Sequence, residues 1–432
     1  MDDKYLPRIA DEKLALSLKA MGAVLIEGPK WCGKTTSAKR FAKSIIEFQH
    51  PENQARYVEL AKHSIMKLLE GEKPRLIDEW QVIPDIWNAA RYDVDEKQKQ
   101  GLYLLTGSAT PTDEDRLHSG TGRMAFISMK PMSLYESGES NGTISLKDIR
   151  DGNVKIDGQQ SNIDYEEMAY LVCRGGWPGA LKLDRKSSLN VPKDYIKALC
   201  EHDISKVDKK TRNPKLAKQI LKSYARVVST IESDTTILTD LELSGNKVSK
   251  TAFYDYIKVL KRLYVLDEID SWNPNIRSKT TIRTSPKKSF VDPSIACAAL
   301  ECSPEELALD PHTFGFMFEN LVARDLSVYI DKIGGYLRHY RDRFDLECDH
   351  VIHFDNGKYG LVQTKLGYSG VEDACNKLKE MNNLIKEKNK ELEMKKKKTM
   401  REPDFLMVVY GGDMAYTTND GILVVPIGCL KD

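Results

Sequence analysis

The stretch Gly28-Pro29-Lys30-Trp31-Cys32-Gly33-Lys34-Thr35-Thr36 constrains this chain more than any other. It fits G-x-x-x-x-G-K-[ST], a phosphate-binding loop. The apolar run Ala23-Val24-Leu25-Ile26 before it reads as a buried strand, and Ser37 to Ile46 after it reads as a helix. Strand, loop and helix in that order are the context the motif requires. Gly28 and Gly33 permit a tight turn that points several backbone N–H groups at one anion. A helix starting near Lys34 adds the positive end of its dipole. Lys34 is expected to reach the β- and γ-phosphates, and the Thr35 hydroxyl to hold Mg²⁺.

About forty residues later comes Leu76-Ile77-Asp78-Glu79-Trp80-Gln81, an apolar strand with two carboxylates at its end. In a parallel α/β sheet, strand ends face the same crevice as the phosphate loop. Asp78 is expected to bind Mg²⁺, through water or through Thr35, and Glu79 to polarise the attacking water. Tyr57 to Leu60 reads as a short strand. Leu105-Thr106-Gly107-Ser108 ends a further strand in hydroxyl residues, and either Thr106 or Ser108 suits a γ-phosphate sensor. His118 to Gly122 is a glycine-rich segment ending at Arg123, whose guanidinium suits transition-state charge in cis or from a neighbouring subunit.

The remaining motifs are weighed against an unremarkable background. The formal net charge of +1 gives no whole-chain signal for a nucleic-acid partner, so local clusters must carry one. The eight cysteines show no paired spacing and read as reduced thiols, not as a disulfide frame or zinc site. No apolar run approaches the ~18–20 residues of a membrane span, and the N-terminus lacks a signal pattern, so a cytoplasmic protein is expected.

Gly28 to Thr35, Leu76 to Gln81, Leu105 to Ser108, Gly122-Arg123, Met132-Ser133-Leu134 and Arg174-Gly175-Gly176-Trp177-Pro178 together resemble one prokaryotic branch of the AAA+ ATPases. In that branch the ATPase precedes a carboxyl-terminal domain of unknown function. The resemblance implies binding of ATP with Mg²⁺, ATP hydrolysis, and a helical lid after the core. It also favours Arg123 as an arginine finger.

Residues 139–165 read as a long polar connection. Glu166 to Cys173, Asp194 to Lys206 and Pro214 to Thr230 read as lid helices. Between Ser205 and Arg226 stand Lys206, Lys209, Lys210, Arg212, Lys215, Lys218, Lys222 and Arg226 against one acid, Asp208. Such a face can track phosphates or be solvated surface. Ile237 onward reads as a winged helix: a turn at Ser244-Gly245-Asn246, a helix capped by Ser249 and running to Leu263, and wing strands at 264–269 and 288–291. Arg277, Lys279, Arg283, Lys287 and Lys288 fall on the wing, and Lys250, Lys258, Lys261 and Arg262 on the second helix. DNA and a protein are both open as its partner.

His312 to Asp331 is an amphipathic helix carrying Glu319. Strands follow at 337–342, 347–354 and 359–365, the last two joined by a hairpin at Asp355 to Lys358. This layout resembles the PD-(D/E)xK nuclease core. The resemblance implies Glu319, Asp349 and Gln363 as ligands of a second divalent metal and Lys365 as the catalytic lysine. The third-strand acid is replaced by Gln363, which removes one negative charge from the site.

The expected architecture is α/β throughout: an AAA+-type P-loop core at 1–138, a linker and helical lid at 139–230, a winged helix at 231–292, and a restriction-endonuclease-like domain at 293–432. Three functions compete. ATP turnover works on DNA, with the rear domain cutting or gripping it. The protein is a nucleotide-dependent regulatory switch that binds a protein partner or itself, with an inactive nuclease-like rear domain. Or ATP is a structural ligand.

Overall fold

The computed structural model describes residues 5–109, 121–208, 210–246, 248–273, 285–342 and 346–432. Its amino-terminal unit comprises α1 (Ala10–Ala20), β1 (Ala23–Glu27), α2 (Lys34–Phe41), β2 (Ser44–Glu47), α3 (Gln54–Ser64), β3 (Arg75–Asp78), α4 (Asp85–Lys97), β4 (Tyr103–Gly107), β5 (Met124–Ser128) and α5 (Leu134–Ser137). The five strands form a parallel sheet in the order β2-β3-β4-β1-β5. Central strands of such a sheet are covered on both faces and read as unbroken apolar runs. Ala23, Val24 and Leu25 of β1 are accordingly fully buried.

Two local expectations are corrected here. The helix after the phosphate loop stops at Phe41, and Ser44–Glu47 is an edge strand paired with β3. No glycine or proline marks the change, and only Ile46 of that strand is buried, so the sequence carries little strand signal. Residues 57–60 lie in α3 and not in a strand; Tyr57, Leu60 and Ala61 pack on the sheet at helical spacing. A four-residue window is too short to show that period.

Residues 139–165 are not a plain connection. They contain β6 (Ile144–Ser145) and α6 (Leu146–Asp151), the latter capped by the Ser145 side chain accepting from the Asp148 amide. The helical region continues with α7 (Tyr165–Arg174), α8 (Arg185–Ser188), α9 (Asn190–Ala198), a π-helical turn at Leu199–Asp203, α10 (Ile204–Lys206), α11 (Pro214–Ala225), α12 (Asp234–Leu243) and α13 (Lys250–Arg262). Ser249 caps α13 by accepting from the Ala252 amide. Beyond α13, the chain and residues 287–291 pair antiparallel through the bridges Leu266↔Phe290 and Ile269↔Lys287. Arg277, Lys279 and Arg283 lie outside the described residues, as do Lys209 and residues 118–120 of the glycine-rich segment.

α14 (Pro293–Leu300) and α15 (Pro304–Leu309) lead into the rear unit: α16 (Pro311–Ile333), β7 (Gly335–Arg341), β8 (Glu347–Phe354), β9 (Tyr359–Lys365), α17 (Val371–Met394), β10 (Phe405–Tyr410), β11 (Tyr416–Thr417), β12 (Leu423–Pro426) and β13 (Leu430–Lys431). The sheet order is β11-β12-β10-β9-β8-β7. β7, β8 and β9 run antiparallel; β9, β10 and β12 run parallel. One sheet face packs α16, in a core continuous with helices α7 to α14, and the other packs α17. β13 returns to pair with β6, tying the last strand to the segment after the nucleotide unit. Among the described residues no helix is long and apolar enough to cross a membrane.

Candidate nucleotide site

The phosphate loop closes over a turn that only glycine accommodates at its first position. Gly28 has φ +151°, and a Cβ there would fall 2.1 Å from the Met129 carbonyl oxygen. Gly33, at φ +100°, occupies the N-cap of α2. Between them Pro29, Lys30, Trp31 and Cys32 carry the loop, and Trp31 itself takes a left-handed φ of +65°. Lys34 is only 5% exposed; its Nζ donates to the carbonyls of Gly28 at 2.9 Å and Pro29 at 2.7 Å. The ammonium is thus held inside the loop curl where phosphate charge would lie.

The carboxyl ends of β3 and β4 bring the other expected residues to this loop. Thr35 Oγ1 donates to Asp78 Oδ1 at 2.6 Å, and Thr106 Oγ1 donates to the same oxygen at 2.5 Å. Glu79 sits just beyond β3 with φ +54°. Its amide donates to Thr106 Oγ1, and its Oε2 accepts from Ser108 Oγ at 3.1 Å and from the Gln81 side-chain amide. Both hydroxyls left open by the sequence are therefore engaged: Thr106 steadies Asp78, and Ser108 steadies Glu79. A magnesium ion fits this donor set. A hydroxyl and a carboxylate in direct contact are hard oxygen ligands, and Thr35 and Asp78 would hold it.

A cavity of about 770 Å³ opens beside the loop, lined by Lys34, Thr35, Thr36, Glu79, Trp31 and Lys30 together with Tyr5, Leu6, Pro178 and Gly179. The last two belong to the Gly176-Trp177-Pro178-Gly179 turn after α7. That turn docks on the nucleotide unit so closely that a Cβ at Gly176 would lie 2.0 Å from the Met132 carbonyl oxygen. Trp31 is 54% exposed and stands edge-on to Tyr195 of α9, and Lys30 pairs with Asp203 at 2.6 Å. Burial pushes the Tyr5 phenol well up, so it stays protonated while it contacts Asp11 and Ser37.

The sequence reading missed Arg8 and Gln81. Arg8 is buried and donates to the Cys32 carbonyl at 2.6 Å, to Lys130 O at 2.8 Å, and to Glu136 at 3.0 Å. Its short extended neighbourhood offers no local signal. Gln81 lies within the Asp78-Glu79-Trp80-Gln81 motif and was legible by position, though not by role.

Arg123 stands elsewhere. Its carbonyl accepts from the amide of Ala23, the first residue of β1, so it lies at the opposite end of the sheet from the phosphate loop. That is roughly 16 Å along a five-residue strand at ~3.3 Å per residue. Its guanidinium pairs with Asp95. A role toward this chain's own nucleotide does not fit that placement.

The expected second metal site also assembles differently. Glu319 of α16 and Asp349 of β8 do meet, but around the ammonium of Lys287. Gln363 Nε2 donates to the Glu347 carbonyl at 2.7 Å. Gln363 and Lys365 alternate with Val362 and share the face of Leu361, which packs α17 and not α16. Lys365 makes no ion pair with any described residue. Among the described residues no group of three or more His, Cys, Asp or Glu is placed to hold a metal ion. The residues present do not fit the metal that the nuclease resemblance implies.

Much of the basic charge read as nucleic-acid-facing is paired with acids of the same chain, at the surface for Lys218, Lys222 and Arg226 and in the interior for Arg212 and Lys288. Arg212 is buried against Asp208 and Asp255, Lys218 and Lys222 pair with Glu301, and Arg226 pairs with Asp240. Lys288, placed on the wing by sequence, is buried between Asp234 at 2.6 Å and Glu268 at 3.0 Å. Lys261 pairs with Glu268, while Lys250 and Lys258 remain exposed on α13.

Residues 21–138 match a family model described as an AAA domain. Residues 165–306 and 314–430 match two families described as domains of unknown function, DUF8612 and DUF4143. The uncharacterized proteins Mb2031c of Mycobacterium bovis and Rv2008c of Mycobacterium tuberculosis are each 24% identical to this chain over 361 residues, covering 82% of it and 73% of their own length. Among solved structures, a Walker-type ATPase of Pyrococcus abyssi, PABY2304, is 13% identical with a TM-score of 0.43, covering 69% of this chain and 97% of its own. A structure of Drosophila ORC bound to DNA is 12% identical with a TM-score of 0.23, covering 65% and 89%. The amino-terminal third of this chain is thus similar to the AAA domain family, with a phosphate-binding loop on a five-stranded parallel sheet.

Proposed function

We propose that this protein binds and hydrolyses ATP, and that turnover changes how its helical and rear units sit on the nucleotide domain. The observation that carries the reading is the joint engagement of Thr35 with Asp78 and of Ser108 with Glu79 at the mouth of the phosphate loop. Backbone amides from Lys30 to Thr35 would cradle the phosphates, with Lys34 leaving the loop carbonyls to meet the β- and γ-oxygens. Mg²⁺, held by Thr35 and Asp78, would neutralise charge on the β- and γ-oxygens. Glu79, fixed by Ser108 and Gln81, would orient the attacking water. Arg123, remote from its own site, would serve a neighbouring subunit if the chain assembles in rings or pairs.

The switch reading is favoured over DNA work. Lys30 of the phosphate loop reaches Asp203 of the lid, and the lid turn lines the nucleotide cavity, so nucleotide state has a direct path to the helices behind it. Several of the lysines and arginines that suggested DNA pair with acids of the same chain, in the interior for Arg212 and Lys288 and at the surface for Lys218 and Arg226. The αβββαβ order of the rear unit supports a nuclease-like fold by layout alone, without the metal chemistry.

The test is steady-state ATPase activity of the pure protein against Lys34→Ala and Glu79→Gln. The expected result is loss of at least ~100-fold in each, with nucleotide affinity lost only in Lys34→Ala. Equal rates in all three proteins would overturn the hydrolysis reading. Stimulation by double-stranded DNA at moderate salt would restore the DNA reading.

A further inference from the structure

The pocket between α16 and the start of β8 gathers three carboxylates around one ammonium. Glu319 comes from α16, and Glu347 and Asp349 come from β8. Lys287 Nζ lies 2.7 Å from Glu319 Oε1, 3.2 Å from Glu347 Oε1 and 3.8 Å from Asp349 Oδ1, on a side chain only 1% exposed. The lysine is brought in from outside the rear sheet. It belongs to the extended segment that pairs with Ile269, and its neighbour Lys288 turns the other way, to Asp234 and Glu268. Consecutive residues of an extended segment point to opposite sides. One strand thus drives one cation into the rear unit and the next into the helical unit.

Among the described residues one further cation approaches, at the rim: Arg341 Nη1 lies 3.9 Å from Glu347 Oε2. Burial, then the charge of Lys287, holds His350 well below its usual range, and burial with Lys287 holds His339 down at about 4. Both rings are neutral at physiological pH. Neither ring nitrogen of His350 has a hydrogen-bond partner among the described residues.

We propose that Lys287 is the resident cation of this pocket, standing where a domain of this layout would seat a divalent metal, so that the rear unit as built takes up no Mg²⁺ or Mn²⁺. Magnesium requires several oxygens at ~2.0–2.1 Å in octahedral array. Here the Glu319 oxygen is already bonded to nitrogen, and an incoming metal would either face the ammonium at close range or expel it from a buried position. An unpaired buried charge is the costly outcome of any such exchange. On this reading the lysine keeps the acidic pocket as a packing joint between the two units instead of a reaction centre.

The experiment is Mn²⁺ binding to the nucleotide-free full chain, followed by the electron paramagnetic signal of free Mn²⁺. Four proteins are compared: wild type, Asp349→Asn, Lys287→Met and the double variant Lys287→Met/Asp349→Asn. All four carry the same nucleotide site, so any metal held there cancels. Wild type and Asp349→Asn are expected to bind equal amounts. Lys287→Met is expected to bind one further Mn²⁺ per chain, lost again in the double variant. The proposal is overturned if Asp349→Asn loses a metal that wild type holds, or if folded Lys287→Met gains none. Should Lys287→Met fail to fold, wild type against Asp349→Asn decides alone, with the melting temperature of each in Mn²⁺ and in chelator as a second readout. A Mn²⁺-dependent rise present in wild type and absent in Asp349→Asn overturns the proposal; no such difference sustains it.

Discussion

Glu79 is a non-glycine residue held at φ +54°, immediately after the last residue of β3. Positions of this kind store local strain and persist when neighbours over-determine them. The neighbours are Thr106, which accepts from its amide, and Ser108 and Gln81, which donate to its carboxylate. Gln81 touches no phosphate-loop atom in a described contact, so it acts through Glu79. In Gln81→Ala the carboxylate keeps one donor and gains rotational freedom. The expected outcome is a kcat lower by about tenfold with ATP affinity unchanged, because only the positioning of the water is disturbed. Single-turnover rates with separate nucleotide titrations check this; a matched loss of affinity would show that Gln81 shapes the pocket and not the base.

At the scale of elements, strands β7 and β8 bring His339 and His350 into the buried layer beneath α16. His339 Nε2 lies 3.1 Å from the Ser285 carbonyl, and its pKa falls to about 4, chiefly by burial and then by the charge of Lys287. The depressed value fixes the sign of the pH effect. Between pH ~6.5 and ~4 the unfolded chain takes up a proton that the folded chain refuses, so stability falls as pH falls across that window. The group contributes up to about 3 kcal/mol of that loss, and nothing further below the folded pKa. Urea unfolding at pH 7 and pH 4.5 is expected to show a smaller acid loss in His339→Gln than in wild type. The elements themselves were unevenly legible in the sequence. α13 announced its start through Ser249 and its face through Tyr256, Val259 and Leu260, because capping and a 3.6-residue period are local signals, while the burial of Phe253 and Ile257 emerges only in the fold. β2 and α3 were misread, since a four-residue edge strand and a four-residue window on a helix carry no distinguishing period.

Across the whole molecule, one buried polar chain joins the three parts. Arg8 binds the phosphate-loop carbonyl of Cys32 and Glu136 of α5. The Leu134 amide at the start of α5 donates to Asp325 of α16, and Arg324 beside it pairs with Asp292 at 2.8 Å. Asp292 accepts in turn from the amide of Gly176, in the turn after α7, at 2.9 Å. Asp292, Arg324 and Asp325 are all buried. Removing one member of such a cluster leaves opposite charge uncompensated, at a typical cost of about 3–5 kcal/mol. Arg324→Met is therefore expected to lower the unfolding free energy by that amount, read from chemical denaturation, even though Met matches much of the volume. A change below about 1 kcal/mol would mean that the cluster is not a joint.

Sequence alone determined the nucleotide end of this protein. Gly28 to Thr35 and Asp78-Glu79 carry their meaning within a few residues, because a phosphate loop and a strand-end acid pair are local geometries set by backbone freedom and side-chain chemistry. Tertiary structure alone decided what the rear acids do. Glu319 and Asp349 read as metal ligands until the fold places Lys287 between them, from a segment 32 and 62 residues away. It also decided that Arg123 lies at the far end of its sheet and that residues 139–165 pair with the last strand. Those outcomes depend on which distant segments the chain brings into contact, and no spacing along a single stretch encodes them.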